Sequence, residues 1–229
     1  MEKKKLNQYQ KELSATQVAN GINCAIKNAR RLILDSELLL EKKRFPSALG
    51  LAILAIEEAG KVPILRELSV AKNAEELKTA WKAYRSHTKK NVMWIFYDLF
   101  KSGARKLEDF RPIVDKDSEH PYILDNVKQI CFYTDCLGNA HWSAPDEIIE
   151  EGLAREIVNL AKSFVPKKEV DEKEIALWIK HIGPILKSDF ELMKVALQDW
   201  YYEMKLNGLY EGSLDDAFQF VGGERFWKH

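Results

Sequence analysis

The sequence predicts an all-α protein, and three observations carry that expectation. Apolar residues recur at spacings of three and four along most of the chain. Strand signals, meaning short alternating runs bounded by turn residues, are scarce. Prolines and glycines fall mainly between the periodic stretches, where helices end. With 229 residues, 46% of them hydrophobic and 31% charged, the chain can bury one sizeable core and is expected to form a single domain over 1–229.

The elements follow in order. Val18, Ile22, Ile26, Ala29 and Ile33 write one apolar face, and Leu38, Leu39 and Leu40 extend this first helix to about Lys43. Pro46 suits the first turn of a second helix. From Ala48 to Ile56 that helix is apolar or small all round, as expected of a helix enclosed by neighbours. Gly50, Ala52, Ala55 and Ala59 would let those neighbours come close. The apolar pattern continues past Lys61 through Val62, Ile64 and Leu65, with Pro63 expected to kink it. A third helix is expected from Glu75 to about Lys101, followed by a charged loop over 103–121.

Around Ile130–Tyr133 a short strand and a helical turn fit equally well. Ser143, Pro145 and Asp146 open a helix that Ile149, Leu153, Ile157, Leu160 and Phe164 carry to Pro166. Two more helices are expected, Asp171 to Ile182 and Ile185 to Leu206, ended by Asn207-Gly208. The organisation expected is a helical core over 14–125, a C-terminal helical part over 126–206 packed on it, and a loosely attached tail over 207–229 with one turn near Leu214–Val221. The six tryptophans are expected in the core or at interfaces.

Thirty-five basic and thirty-five acidic residues cancel, which argues against a surface that grips nucleic acid all over but not against a local basic patch. Three cysteines without CxxC spacing suggest reduced thiols. The N-terminus lacks an apolar signal region, and the run from Phe45 to Ile56 is shorter than the roughly 20 residues of a membrane span. A cytoplasmic protein without membrane contact is expected. There is no Gly-rich phosphate loop, HExxH or Glu-x-x-His pair, and Cys131, Cys136 and His141 have poor zinc spacing. No metal and no cofactor are expected.

One polar cluster stands out. Glu57, Glu58 and Lys61 interrupt the enclosed second helix, and 85-RSHTKK-90 sets Arg85, His87, Lys89 and Lys90 on the third. Carboxylates from one helix could face the imidazole and lysines of the other, and lysines there could hold an anion such as phosphate. Glu58 is the expected inward carboxylate. The plainer readings are an intrahelical Glu57–Lys61 pair, a buried carboxylate satisfied by a neighbouring cation, a packed histidine and solvated lysines.

The order of 26-IKNARRLILDSELLLEKKRFPSALGLAILAIEEAGKVPIL-65, 84-YRSHTKK-90 and 133-YTDCLGNAHWSAPDEI-148 resembles the AbiV family of abortive-infection proteins. The most specific pieces are DSELLL with A-x-x-LA-x-x-AIEE-x-GK, the downstream H-x-x-K and Y-x-D…W-x-x-P. The resemblance implies a HEPN-like helical bundle with additional C-terminal helices and a role in defence against phage. Many HEPN proteins are ribonucleases that work as homodimers, with an Arg and a following His at the interface. That implies His87, Lys90, Glu58 and Arg85 as catalytic candidates, and Glu57, Lys61, Lys89 and Asp35 as a substrate-binding or structural polar centre. Arg85 precedes His87 by only two residues, and Lys82 stands where the usual spacing has Arg. Two readings stay open: a HEPN-like ribonuclease acting on RNA or the ribosome, and a non-catalytic protein, activated by a phage-encoded partner, that blocks translation by binding. Neither implies recognition of particular DNA sequences.

Overall fold

The structure is a computed structural model that describes residues 7–91, 99, 102–109, 120–186 and 189–222. Helix α1 spans Ala15–Glu41 and begins at a capping box, in which the Ser14 hydroxyl accepts from the Gln17 amide while the Gln17 side chain accepts from the Ser14 amide. Helix α2 spans Phe45–Ala59, with Pro46 in its first turn. Its Ala48, Leu49, Ala52, Ile53, Ala55 and Ile56 have no exposed surface.

The expected continuation past Lys61 does not occur. Helix α2 stops at Ala59, Gly60 makes the junction, and α3 spans Lys61–Leu68. Pro63 therefore falls in a first turn, where its missing N–H costs nothing, rather than kinking a longer helix. The expected third helix is also divided. Helix α4 covers Ala74–Arg85, the chain extends at Ser86, and the short α5 covers His87–Lys90. The Ser86 hydroxyl accepts from the Lys89 amide and caps α5, which is what a serine offers a helix start. The rest of that expected helix, apart from Asn91 and residue 99, lies outside the described residues.

Helix α6 spans His120–Phe132, so the ambiguous Ile130–Phe132 segment is helical. The boundary expected between 125 and 126 falls inside this helix. A small antiparallel hairpin follows, β1 (Asp135–Leu137) with β2 (His141–Ser143), pairing Cys136 opposite Trp142. Helix α7 is the single turn Pro145–Ile148 and α8 runs Glu151–Phe164, where the sequence predicts one helix. Helices α9 (Glu172–Ile182) and α10 (Phe190–Leu206) start on the aspartate caps Asp171 and Asp189. The tail contributes α11, Leu214–Val221, which packs on α10 and buries Ala217 and Val221. Over its described part the tail is thus attached rather than loose.

Helix α2 is the centre of the bundle, packed against α1, α6 and α8. Gly50 makes one of these approaches workable, because a Cβ there would overlap the Phe132 ring of α6. Helix α9 packs on α1 with Ile175 in the main core, and Arg66 of α3 adds a tie, pairing with Glu174 and lying 5.1 and 5.4 Å from the Trp178 and Trp200 rings. Trp81, Trp178 and Trp200 are packing residues as expected, but Trp142 is 75% exposed on the hairpin. No helix among the described residues is long and apolar enough to cross a membrane.

Candidate functional site

Short helix α5 packs between α2 and α6, and the polar residues of all three meet there. Glu57, the last acidic residue but one of α2, is buried, with 3% of its side chain exposed. Its Oε2 lies 2.7 Å from Nδ1 of His87 and 3.7 Å from the Lys90 ammonium. Its Oε1 accepts from the Lys128 ammonium at 2.6 Å. Lys128 also donates to Asp125, one turn back on α6, at 2.8 Å. A buried carboxylate is thus surrounded by two buried lysines and one histidine, which offsets the cost of removing its charge from water.

His87 differs from the rest of the cluster. Its side chain is 59% exposed, although Nδ1 is held by the buried Glu57. An ionised carboxylate only accepts hydrogen bonds, so Nδ1 donates, and in the neutral ring Nε2 is left as the acceptor. Nε2 has no protein partner among the described residues. The arrangement is an oriented imidazole with its basic nitrogen on the accessible side.

The two lysines differ in electrostatics. Burial lowers the Lys90 pKa below its ordinary value, and Glu57 only partly opposes this. For Lys128 burial acts in the same direction, but the bonds to Asp125 and Glu57 outweigh it and the net shift is upward. Lys128 is therefore held firmly charged between two carboxylates. Glu57, His87 and Asp125 could also serve as metal ligands, their donor atoms lying within 4.8 Å of one another. The Lys128 ammonium bonds two of the three and already supplies positive charge there, so a metal ion would have to displace it.

Other sequence-derived candidates fall elsewhere. Glu58, the expected inward carboxylate, instead pairs with Lys61 at 2.6 Å, three residues on and half-buried. The expected Glu57–Lys61 pair is replaced by this one, because Glu57 turns into the bundle. Lys61 also lies 5.3 Å from the Tyr84 ring. Arg85 stacks on Trp81 and donates to the carbonyls of Trp81 and Tyr9. Lys89 is exposed. Asp35 pairs with Arg31 on the exposed side of α1, away from the cluster. Lys128 and Asp125 are the members that sequence reasoning misses. Their signal is a lysine on a helix face otherwise made by Leu124 and Cys131, with an aspartate three residues before it.

A family model described as AbiV, of the HEPN class, matches residues 17–166, which run from α1 to just past α8. No curated protein and no solved structure matches the chain. The match contains every residue of the cluster, whereas α9, α10 and α11 lie beyond it.

Proposed function

Because the chain belongs to the AbiV family of HEPN-like helical proteins, we propose that it is an abortive-infection effector acting on RNA, with His87 as its proton-transfer residue. The observation that carries this reading is the 2.7 Å bond from the exposed imidazole to the buried Glu57. Glu57 fixes the ring's tautomer and direction, so that Nε2 can accept a proton from a ribose 2′-hydroxyl. The 2′-oxygen then bonds the adjacent phosphorus, the bond to the 5′-oxygen breaks, and that oxygen takes up a proton from solvent water as it leaves, while the imidazolium later returns its own proton to solvent. The products are a 2′,3′-cyclic phosphate and a 5′-hydroxyl.

Lys90 and Lys128 are too buried to touch an RNA and act as positioning residues through Glu57. Arg85 is engaged with Trp81 and Tyr9 rather than with His87. The working unit under this proposal is a homodimer in which the second copy brings a cation to the phosphate, as the family resemblance implies.

A second reading, capture of a protein partner without catalysis, is favoured by the exposed face beside the hairpin. A groove of about 600 Å3 there is lined by Ile130, Tyr133, Thr134, Leu137 and Ser143 among others. Purified protein incubated with total RNA and ribosomes, alone and with phage lysate, separates the two. Cleavage by wild type that His87→Ala abolishes supports the ribonuclease. Intact RNA in every condition, with phage resistance kept by His87→Ala, overturns it in favour of the binding protein.

A further inference from the structure

Arg85, set among the catalytic candidates by the sequence, belongs to a second feature. Lys78, Lys82 and Arg85 follow one another along α4 at spacings of four and three, so they share one face of the helix. They line a groove of about 460 Å3 together with Gln10, Trp81 and Ser86, and no carboxylate lines it among the described residues. Lys89 continues the series four residues on, exposed on α5. We propose that this series is a phosphate track that carries a single RNA strand to His87.

Four observations support it. First, the lysines are uncompensated. Lys61, Lys128, Lys162, Lys168, Lys180 and Lys194 all have acidic partners. Lys78, Lys82 and Lys89 are exposed and have no ion pair among the described residues. The acidic residues of α4, Glu75 and Glu76, sit in its first turn, at the end away from His87, and neither forms an ion pair with Lys78 among the described residues.

Second, Arg85 is held in place without being neutralised. It lies 5.0 Å from the Trp81 ring, and its hydrogen bonds go to neutral carbonyls, so the full charge remains for a phosphate. Third, the groove reaches the residue next to the candidate dyad: Ser86 lines it and also caps the helix whose first residue is His87. Fourth, with a net charge of zero the chain has no overall attraction for a polyanion, so a strand would depend on local cation series such as this one.

The track rests on the RNA-directed reading above but is tested separately, by binding in a protein that cannot cleave. The full chain carrying His87→Ala is titrated with a labelled single-stranded RNA by fluorescence anisotropy over a range of salt concentrations. Adding Lys78→Gln, Lys82→Gln and Lys89→Gln together is expected to reduce the slope of log affinity against log salt by about 2. That follows from about 0.7 for each phosphate of a single strand that is no longer neutralised. A control set, Lys162→Gln, Lys168→Gln and Lys180→Gln, removes three exposed lysines that are already paired, and is expected to leave the slope unchanged. Thermal melting of both sets confirms that each folds. An unchanged slope in the track set, an equal reduction in the control set, or no RNA binding at all overturns the track. Wild-type cleavage with an unaltered track-set slope would sink the track and leave the ribonuclease standing. The expected reduction of slope without cleavage by wild type would do the reverse.

Discussion

His87 and Glu57 lie thirty residues apart in sequence and share a 2.7 Å hydrogen bond, one side chain exposed and the other buried. The pair separates two tasks. Glu57 and its lysines belong to the structure of the bundle, whereas His87 faces outward and holds little of the core. Substitutions should therefore divide into those that unfold the protein and those that only silence it.

His87→Ala removes an exposed ring but also one of the bonds to the buried Glu57, so it should cost about 1–3 kcal/mol, with Lys90 and Lys128 still holding the carboxylate. Activity against RNA and phage should be lost with the fold intact. Urea denaturation alongside an RNA cleavage assay checks both halves. A variant that melts far below wild type would mean that the imidazole is structural.

Lys128→Met should behave in the opposite way. It leaves Glu57 and Asp125 without the cation they share, and breaking a buried pair by removing one partner costs about 3–5 kcal/mol. The double variant Lys128→Met with Glu57→Gln should lose less than the sum of the single losses, because a neutral glutamine no longer needs the cation that Lys128 supplied. Strict additivity in denaturant titrations would contradict the coupling. The pH dependence follows from the upward shift of Lys128. Its contribution is fully present below the ordinary lysine value of 10.5 and is lost as pH rises through the higher folded value.

Gly60→Ala tests the seating of α5. A Cβ at Gly60 would collide with the Lys90 carbonyl oxygen, which is backbone and cannot turn aside. The backbone must shift, at the cost of about 1–3 kcal/mol typical of overpacking, and His87 should move with α5 away from Glu57. The expected result is lower stability together with lost activity. Wild-type melting and wild-type cleavage by this variant would show that the two backbones are not close.

Cys131 is buried on α6, and burial pushes its thiol up to about 12, while Cys24 and Cys136 are exposed. At mild pH a thiol reagent should modify Cys24 and Cys136 in the native protein and reach Cys131 only on unfolding. Peptide mass spectrometry resolves the three. Rapid native labelling of Cys131 would mean that α6 is not seated on α2 as described.

Much of the bundle is legible in the sequence because its signals are local. The 3.6-residue periodicity marks α1, and an apolar pattern on every side marks α2 as the enclosed helix, which it is. What the sequence hides depends on residues distant in the chain. Glu57 and Glu58 are adjacent and equally acidic. Which one turns inward is decided by Lys128, 71 residues away from Glu57. The end of α2 at Ala59 agrees with Pro63, whose ring would clash with the Ala59 carbonyl in a continuous helix, but the approach of the Lys90 backbone to Gly60 is reported by no periodicity. Helix α6 is hidden because Pro121 reads as a loop residue, although it falls within the helix's first turn. The hairpin is hidden because its three-residue strands are too short to show alternation.

The most direct measurement is the rate of RNA cleavage by wild type, Glu57→Gln and His87→Ala, assayed side by side with end-group analysis of the products. Wild type should release 2′,3′-cyclic phosphate ends, Glu57→Gln should be slower, and His87→Ala should be slowed by at least about 100-fold, the low end of what a positioned acid or base contributes. Cleavage by His87→Ala at the wild-type rate, with the same product ends, would contradict the assignment.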